Sequence, residues 1–178
     1  MLHSTFDRLC LGLFALASIG GCEVAGSISA PVSTPIPSPV RSVPVAAATF
    51  AEMEETVHQK VNQYRQSQGL PTLTFDPQMS DIARSHSEDM ASGTVAFGHD
   101  GFEERADTLG ELVSLREVGE NVAYNQGYSD PATQAFEGWL DSPGHLENIE
   151  GNYNITGIGI ARNSQGEYYF TQLFVRSQ

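Results

Sequence analysis

The chain predicts an α+β domain in which helices lead and strands close. Three observations carry this. A capping box, Thr49-Phe50-Ala51-Glu52, opens a run whose apolar residues recur at helical spacing. Asp76-Pro77, Asp130-Pro131 and Ser142-Pro143 each pair a capping side chain with a proline that loses no hydrogen bond in a first turn. Two β-rich runs, Ile155 to Arg162 and Glu167 to Val175, flank Asn163-Ser164-Gln165-Gly166 and read as a terminal hairpin. Helices first and strands last in one domain give the α+β order.

Along the domain, Met53, Val57, Val61 and Tyr64 line one face of the first helix, which Gly69 and Pro71 stop. Leu70 to Phe75 is a connector, extended at most. The helix opened by Asp76-Pro77 puts Met79, Ile82, Ala83, His86 and Met90 on one face and ends at Gly93. His86 on that stripe reads as a core histidine with one satisfied nitrogen. A Gly98-His99-Asp100-Gly101 turn precedes a short helix over Phe102 to Leu109, and Glu117 to Asn125 fits either a short strand or a loop. The helix after Asp130-Pro131 buries Ala132, Ala135, Phe136 and Trp139. Trp139 and the Tyr168-Tyr169-Phe170 run read as core and strand packing.

The segment before Thr49 has a different character. Leu9 to Ile19 is an apolar run too short to span a membrane, and it leads into Gly20-Gly21-Cys22. This resembles a bacterial lipoprotein signal over residues 1–22, in which Cys22 is lipidated and becomes the mature N-terminus. Ordinary signal cleavage is the alternative, since Asp7 offsets the single Arg8. Residues 23–48 carry Pro31, Pro35, Pro37, Pro39 and Pro44 among Ser, Val and Ala, and read as a disordered, extended tether. The two cysteines, Cys10 and Cys22, both precede the domain at 49–178, whose core therefore has to hold without disulfides. The expected location is the cell envelope, on a membrane through the Cys22 anchor, or secretion if the signal is simply cleaved.

Charge sharpens the partner class. Asp7 and Glu23 cancel Arg8 and Arg41, so the net charge of −13 falls on the domain. With no basic patch, nucleic acid and anionic polymers are poor partners.

The residues that invite chemistry are His99, Glu120 in Gly119-Glu120-Asn121, and His145 in Trp139-Leu140-Asp141-Ser142-Pro143-Gly144-His145. Each lies beside glycine at an element end. Two imidazoles and a carboxylate can hold a soft divalent metal or move protons near neutrality. His145 falls in the first turn of a helix, where the dipole favours a neutral ring. The same residues could instead stitch loops together, with Glu120 and Asn121 satisfying buried backbone groups.

Taken in order, the aromatic-Gly step before His99, Gly119-Glu120-Asn121, Trp139 with Ser142-Pro143-Gly144-His145 and Asn148-Ile149, and Ile155 to Ala161 followed by an aromatic strand resemble the CAP superfamily. That family comprises cysteine-rich secretory proteins, antigen 5 and pathogenesis-related 1 proteins, and the likeness is to its short bacterial, SCP-like members. It covers about Ala51 to Val175. The resemblance implies an α-β-α sandwich with a central cleft holding two histidines and two acids. His99, Glu120 and His145 match three of these, and Ser142 stands where the second acid usually lies.

Three functions follow as expectations. The first is a binding module whose cleft holds Zn²⁺ or a small ligand through His99 and His145, beside Glu120 and Ser142. The second is a hydrolase with Glu120 as general base; it lacks a nucleophile elbow, a His-Glu-x-x-His helix and a cysteine nucleophile, leaving only Ser142 and Ser87 near histidines. The third, an apolar-ligand carrier, rests on analogy with other family members. The reading favours binding over catalysis.

Overall fold

The computed structural model describes residues 48–178, so the signal, Cys22 and all but the end of the tether lie outside the described residues. Within them, helices α1 (Phe50–Ser67), α2 (Pro77–Ser92), α3 (Phe102–Leu112), α4 (Pro131–Leu140) and α5 (Pro143–Glu150) surround four strands. These are β1 (Thr74–Phe75), β2 (Leu115–Asn125), β3 (Ile155–Arg162) and β4 (Tyr168–Ser177), in the sheet order β1-β3-β4-β2. β1 runs parallel to β3; the other pairs are antiparallel.

The helix starts follow from their caps. Thr49 and Glu52 close the capping box of α1, Asp76 accepts from Gln78 N and Met79 N, and Asp130 accepts from Thr133 N. Ser142 occupies the N-cap of α5 but its side chain makes no cap bond. The terminal hairpin is β3 and β4. Glu117 to Asn125 resolves as a strand, because the polar run pairs with β4 along its length, Gly119 opposite Phe174 and Asn125 opposite Tyr168. The connector Leu70–Phe75 contributes the two-residue β1.

The sheet is filled on both faces, giving the α-β-α sandwich. On one face Met53, Val57 and Val61 of α1, with Ala135 and Trp139 of α4 and Ile149 of α5, close over Ile158, Ile160, Phe170 and Phe174. Trp139 buries its ring and donates Nε1–H to Val122 O at 3.0 Å. The α1 stripe runs on to Tyr64, which packs half-buried against this layer, with the buried Arg65 beside it. Arg65 is 1% exposed and donates to the carbonyls of Pro71, Ile149, Gly151 and Tyr153, which satisfies a buried guanidinium and fixes the α5–β3 connection.

On the opposite face α2 supplies Met79 and Ala83 and α3 supplies Leu109, against Leu173 and Val175 of β4. Here helix and strand backbones meet closely. A β-carbon on Gly157 would lie 2.4 Å from the Met79 backbone, and one on Gly159 would lie 2.0 Å from Arg84 N. Glycine at both positions lets α2 lie down on β3.

Candidate functional site

The site is assembled at the edge strand β2. Successive side chains alternate across the sheet, so Glu120, opposite Leu173, turns toward the α2–α3 layer, and Asn121, opposite Gln172, turns toward α5. Gly119 leaves room before them: a β-carbon there would meet the Tyr153 hydroxyl at 2.7 Å and Asn148 Oδ1 at 2.8 Å, so both side chains would have to shift. Asn148 of α5 donates to Glu120 O and to Asn121 Oδ1, while Asn121 Nδ2 donates to His145 O at 3.0 Å. Asn121 is thus the stitch between β2 and α5, and it brings the start of α5 to the strand.

His99 and Glu120 meet directly. Glu120 has a side chain only 1% exposed, and its Oε1 lies 2.9 Å from His99 Nδ1. Both carboxylate oxygens also accept from Arg105 of α3, Nη2 to Oε1 and Nε to Oε2, each at 2.8 Å. With a guanidinium already donating to both oxygens, the hydrogen in the histidine contact belongs to His99 Nδ1. A neutral His99 therefore presents its Nε2 lone pair outward from a side chain that is 51% exposed. Arg105 also donates Nη1 to Asp100 O, so one side chain holds the loop backbone and orients the imidazole through Glu120. From the other side, His86 of α2 donates Nε2 to Gly98 O at 2.9 Å. This is the buried histidine with one satisfied nitrogen that its helical position predicts, and its work is to pin the loop that carries His99.

His145 is half-buried in α5. Its Nδ1 is enclosed and has no hydrogen-bond partner among the described residues. Burial, and secondarily the nearby His99, push its pKa below 6.5, so the ring is held neutral. The Ser142 side chain makes no hydrogen bond to His99, Glu120 or His145. Ser87 is fully buried, with its Oγ against Gly159 O and Thr171 Oγ1, and is no nucleophile. Among the described residues no group of three or more His, Cys, Asp or Glu side chains is placed to hold a metal ion.

Sequence reasoning finds His99, Glu120 and His145 but misses Arg105, which in Gly101-Phe102-Glu103-Glu104-Arg105 looks like one more surface charge. The only signal was its rarity, a cation in a strongly acidic stretch. Tyr169 packs across the strands as its run predicts, paired with Tyr124 on one face of the sheet with ring centroids 5.7 Å apart, and Phe97 follows at 5.8 Å from Tyr124.

Comparison with known proteins agrees with this architecture. The chain is 35% identical over 128 residues to the "Uncharacterized membrane protein YlbC" of Bacillus subtilis (strain 168), covering 69% of this chain and 34% of that protein. It is 30% identical over 138 residues to the "Uncharacterized protein YkwD" of the same organism, covering 73% and 49%. The chain thus spans a third to a half of the length of these relatives. Among solved structures, an extracellular protein containing an SCP domain from Bacillus anthracis str. Ames superposes with a TM-score of 0.55 at 29% identity, covering 76% of this chain and 45% of that one. The profile of the Cysteine-rich secretory protein family, CAP, matches residues 58–174. With the sandwich, the Gly-Glu-Asn strand and the His99 loop in place, the chain belongs to the CAP family.

Proposed function

We propose that this CAP domain is an exported, envelope-associated binding module whose site takes a divalent ion such as Zn²⁺, or a small ligand in its place, between His99 and His145. The observation that carries the reading is the Arg105–Glu120–His99 chain. It spends the carboxylate on orienting an imidazole and leaves His99 Nε2 available. His145, held neutral and with an unpartnered Nδ1, is the second nitrogen suited to a metal. Two imidazoles leave the remaining positions to water or to a ligand group, an open site of the kind that binds and exchanges. A bound ion would supply Lewis-acid polarisation of that ligand. Glu120 would remain the group that sets the His99 tautomer.

The same geometry argues against hydrolysis with Glu120 as base. A carboxylate accepting three hydrogen bonds, two of them from a guanidinium, has to surrender one to take a proton. Anchoring through Cys22 and the 23–48 tether belongs to this reading. It is supported by the membrane-protein name of one relative and the extracellular description of a solved SCP-domain protein.

Titration calorimetry of Zn²⁺ into the wild type and into a His99→Ala/His145→Ala double variant tests the site. The wild type binds and the double variant loses the heat; equal binding by both sinks the proposal. Cys22→Ser tests the anchor by moving the protein from the membrane to the soluble fraction.

A further inference from the structure

The outer edge of the sheet, at β2, is closed along much of its length and open at one end. The strand registers fix which main-chain groups point outward. Asp76 N–H donates to Thr156 O, so Thr156 faces β1 and Gly157 faces β4. Leu173, the partner of Gly157, therefore turns its main chain to β3, and by alternation so do Thr171 and Tyr169. Their partners on β2, Glu120, Val122 and Tyr124, consequently turn N–H and C=O away from β4 and off the sheet.

A bare strand edge is a template for pairing with another chain, and proteins cover such edges. The start of β2 carries a register shift between Leu115 and Glu117, Asn148 Nδ2 donates to Glu120 O, and Trp139 Nε1 donates to Val122 O. Tyr124 has no such cover. Among the described residues neither a side chain nor a loop backbone bonds to its outward N–H or C=O, and the residue is 52% exposed.

The two faces of the sheet beside this open edge differ. On the α2–α3 face the Tyr124 ring lies 5.7 Å from Tyr169 and 5.8 Å from Phe97, itself 51% exposed. On the α4 face a pocket of about 430 Å³ lies between the end of β2 and α4, and no charged side chain lines it. Since the Tyr124 ring is on the other face, its main chain is what borders this pocket. Gln134 lines it with an amide that makes no side-chain hydrogen bond among the described residues, and Gln126 uses only Nε2, on Gln165 O. An extended peptide sends alternate side chains to opposite faces. A residue opposite Tyr124 would lay its side chain against the aromatic rings, and its neighbours would turn theirs to the α4 side.

We propose that the open edge of β2 at Tyr124 binds an extended peptide segment, main chain to main chain, in the antiparallel sense. In that sense one ligand residue exchanges both hydrogen bonds with Tyr124. That residue carries an aromatic or large apolar side chain, and uncharged, amide-bearing side chains flank it. The net charge of −13 disfavours acidic segments. No metal and no contact from His99 or His145 is drawn on, so the proposal goes beyond the function argued above.

The probe is the peptide acetyl-Lys-Val-Gln-Phe-Gln-Val-Lys-amide, titrated into the isotope-labelled full chain with EDTA present and followed by amide NMR. The Tyr124 amide is expected to shift, and its hydrogen exchange to slow about tenfold or more, when peptide binds. The same peptide with an N-methylated Phe has no N–H for Tyr124 O and is expected to bind about tenfold more weakly. Tyr124→Pro deletes the outward N–H, which the β4 ladder does not use, and is expected to abolish binding while the remaining amide spectrum stays dispersed. The His99→Ala/His145→Ala variant is expected to keep peptide binding, which separates this edge from the metal reading. Absence of any shift up to about 10 mM peptide, a range in which even very weak sites register, overturns the proposal. So does equal affinity for the N-methylated peptide, a set of shifts that spares Tyr124, or a self-association of the chain that Tyr124→Pro abolishes.

Discussion

Under α1, α4 and α5 the sheet meets a broad apolar layer, with Trp139, Phe170 and Phe174 at its centre. Under α2 and α3 the same strands carry a smaller apolar cluster around Met79 and Leu173. Beside that cluster lie buried polar pairs, Ser87 with Thr171 and Arg105 with Glu120. The first face holds the fold by burying area, which is non-directional and tolerant in chemistry. The second face depends on close backbone approach and directed hydrogen bonds, and the site grows at its margin. The difference teaches that the residues near His99 are held by a polar scaffold whose failure is local, while the apolar layer serves the whole domain.

The comparison breaks most visibly at its apolar centre. Trp139→Ala leaves a large cavity and the unpaired Val122 carbonyl, and should cost about 3–5 kcal/mol in urea unfolding. On the polar face, Arg105→Leu strands Glu120 as a buried carboxylate with only His99 opposite it. A loss of about 3 kcal/mol is expected, with much of it regained in the Arg105→Leu/Glu120→Gln double variant. If the double variant is no better than the single, the guanidinium acts by packing alone and the distinction between the faces weakens.

The smallest expected effect is titration of His145. Its folded pKa is depressed below 6.5, so the unfolded chain takes up a proton at higher pH than the folded one does. Stability from the neutral ring is therefore fully present above about 6.5 and is lost as pH falls from there through the depressed folded value. Comparing urea midpoints for wild type and His145→Asn between pH 7.5 and 5 should show a shallower acid-side decline in the variant. Parallel curves would mean that the ring is freely solvated.

Much of the site was legible in the chain because His99, Glu120 and His145 sit beside glycines at element ends, where apolar periodicity does not explain them. Arg105 was not legible. On its helix it is an ordinary charged residue, and its partner lies 15 positions away on a strand whose own existence was ambiguous. That strand, β2, lacks a clean alternation through Arg116-Glu117-Val118-Gly119-Glu120-Asn121, so only its pairing with β4 decides its state. Tyr169 packs on a strand neighbour as its run reads, and only the register of β2 on β4 names Tyr124 as that neighbour.

By itself, then, the sequence determined the helix starts, through Thr49-Glu52, Asp76-Pro77 and Asp130-Pro131, and the hairpin that ends the chain. These are local matters of capping, proline geometry and spacing. Tertiary structure alone decided that Glu120 accepts from Arg105 and His99 together, that Arg65 is buried on four carbonyls, and that Phe97, Tyr124 and Tyr169 form one aromatic run. Each depends on atoms far apart in the chain meeting at hydrogen-bond or van der Waals distance. Such distances are set by how α2, α3 and α5 pack on the sheet and cannot be read from residue spacing.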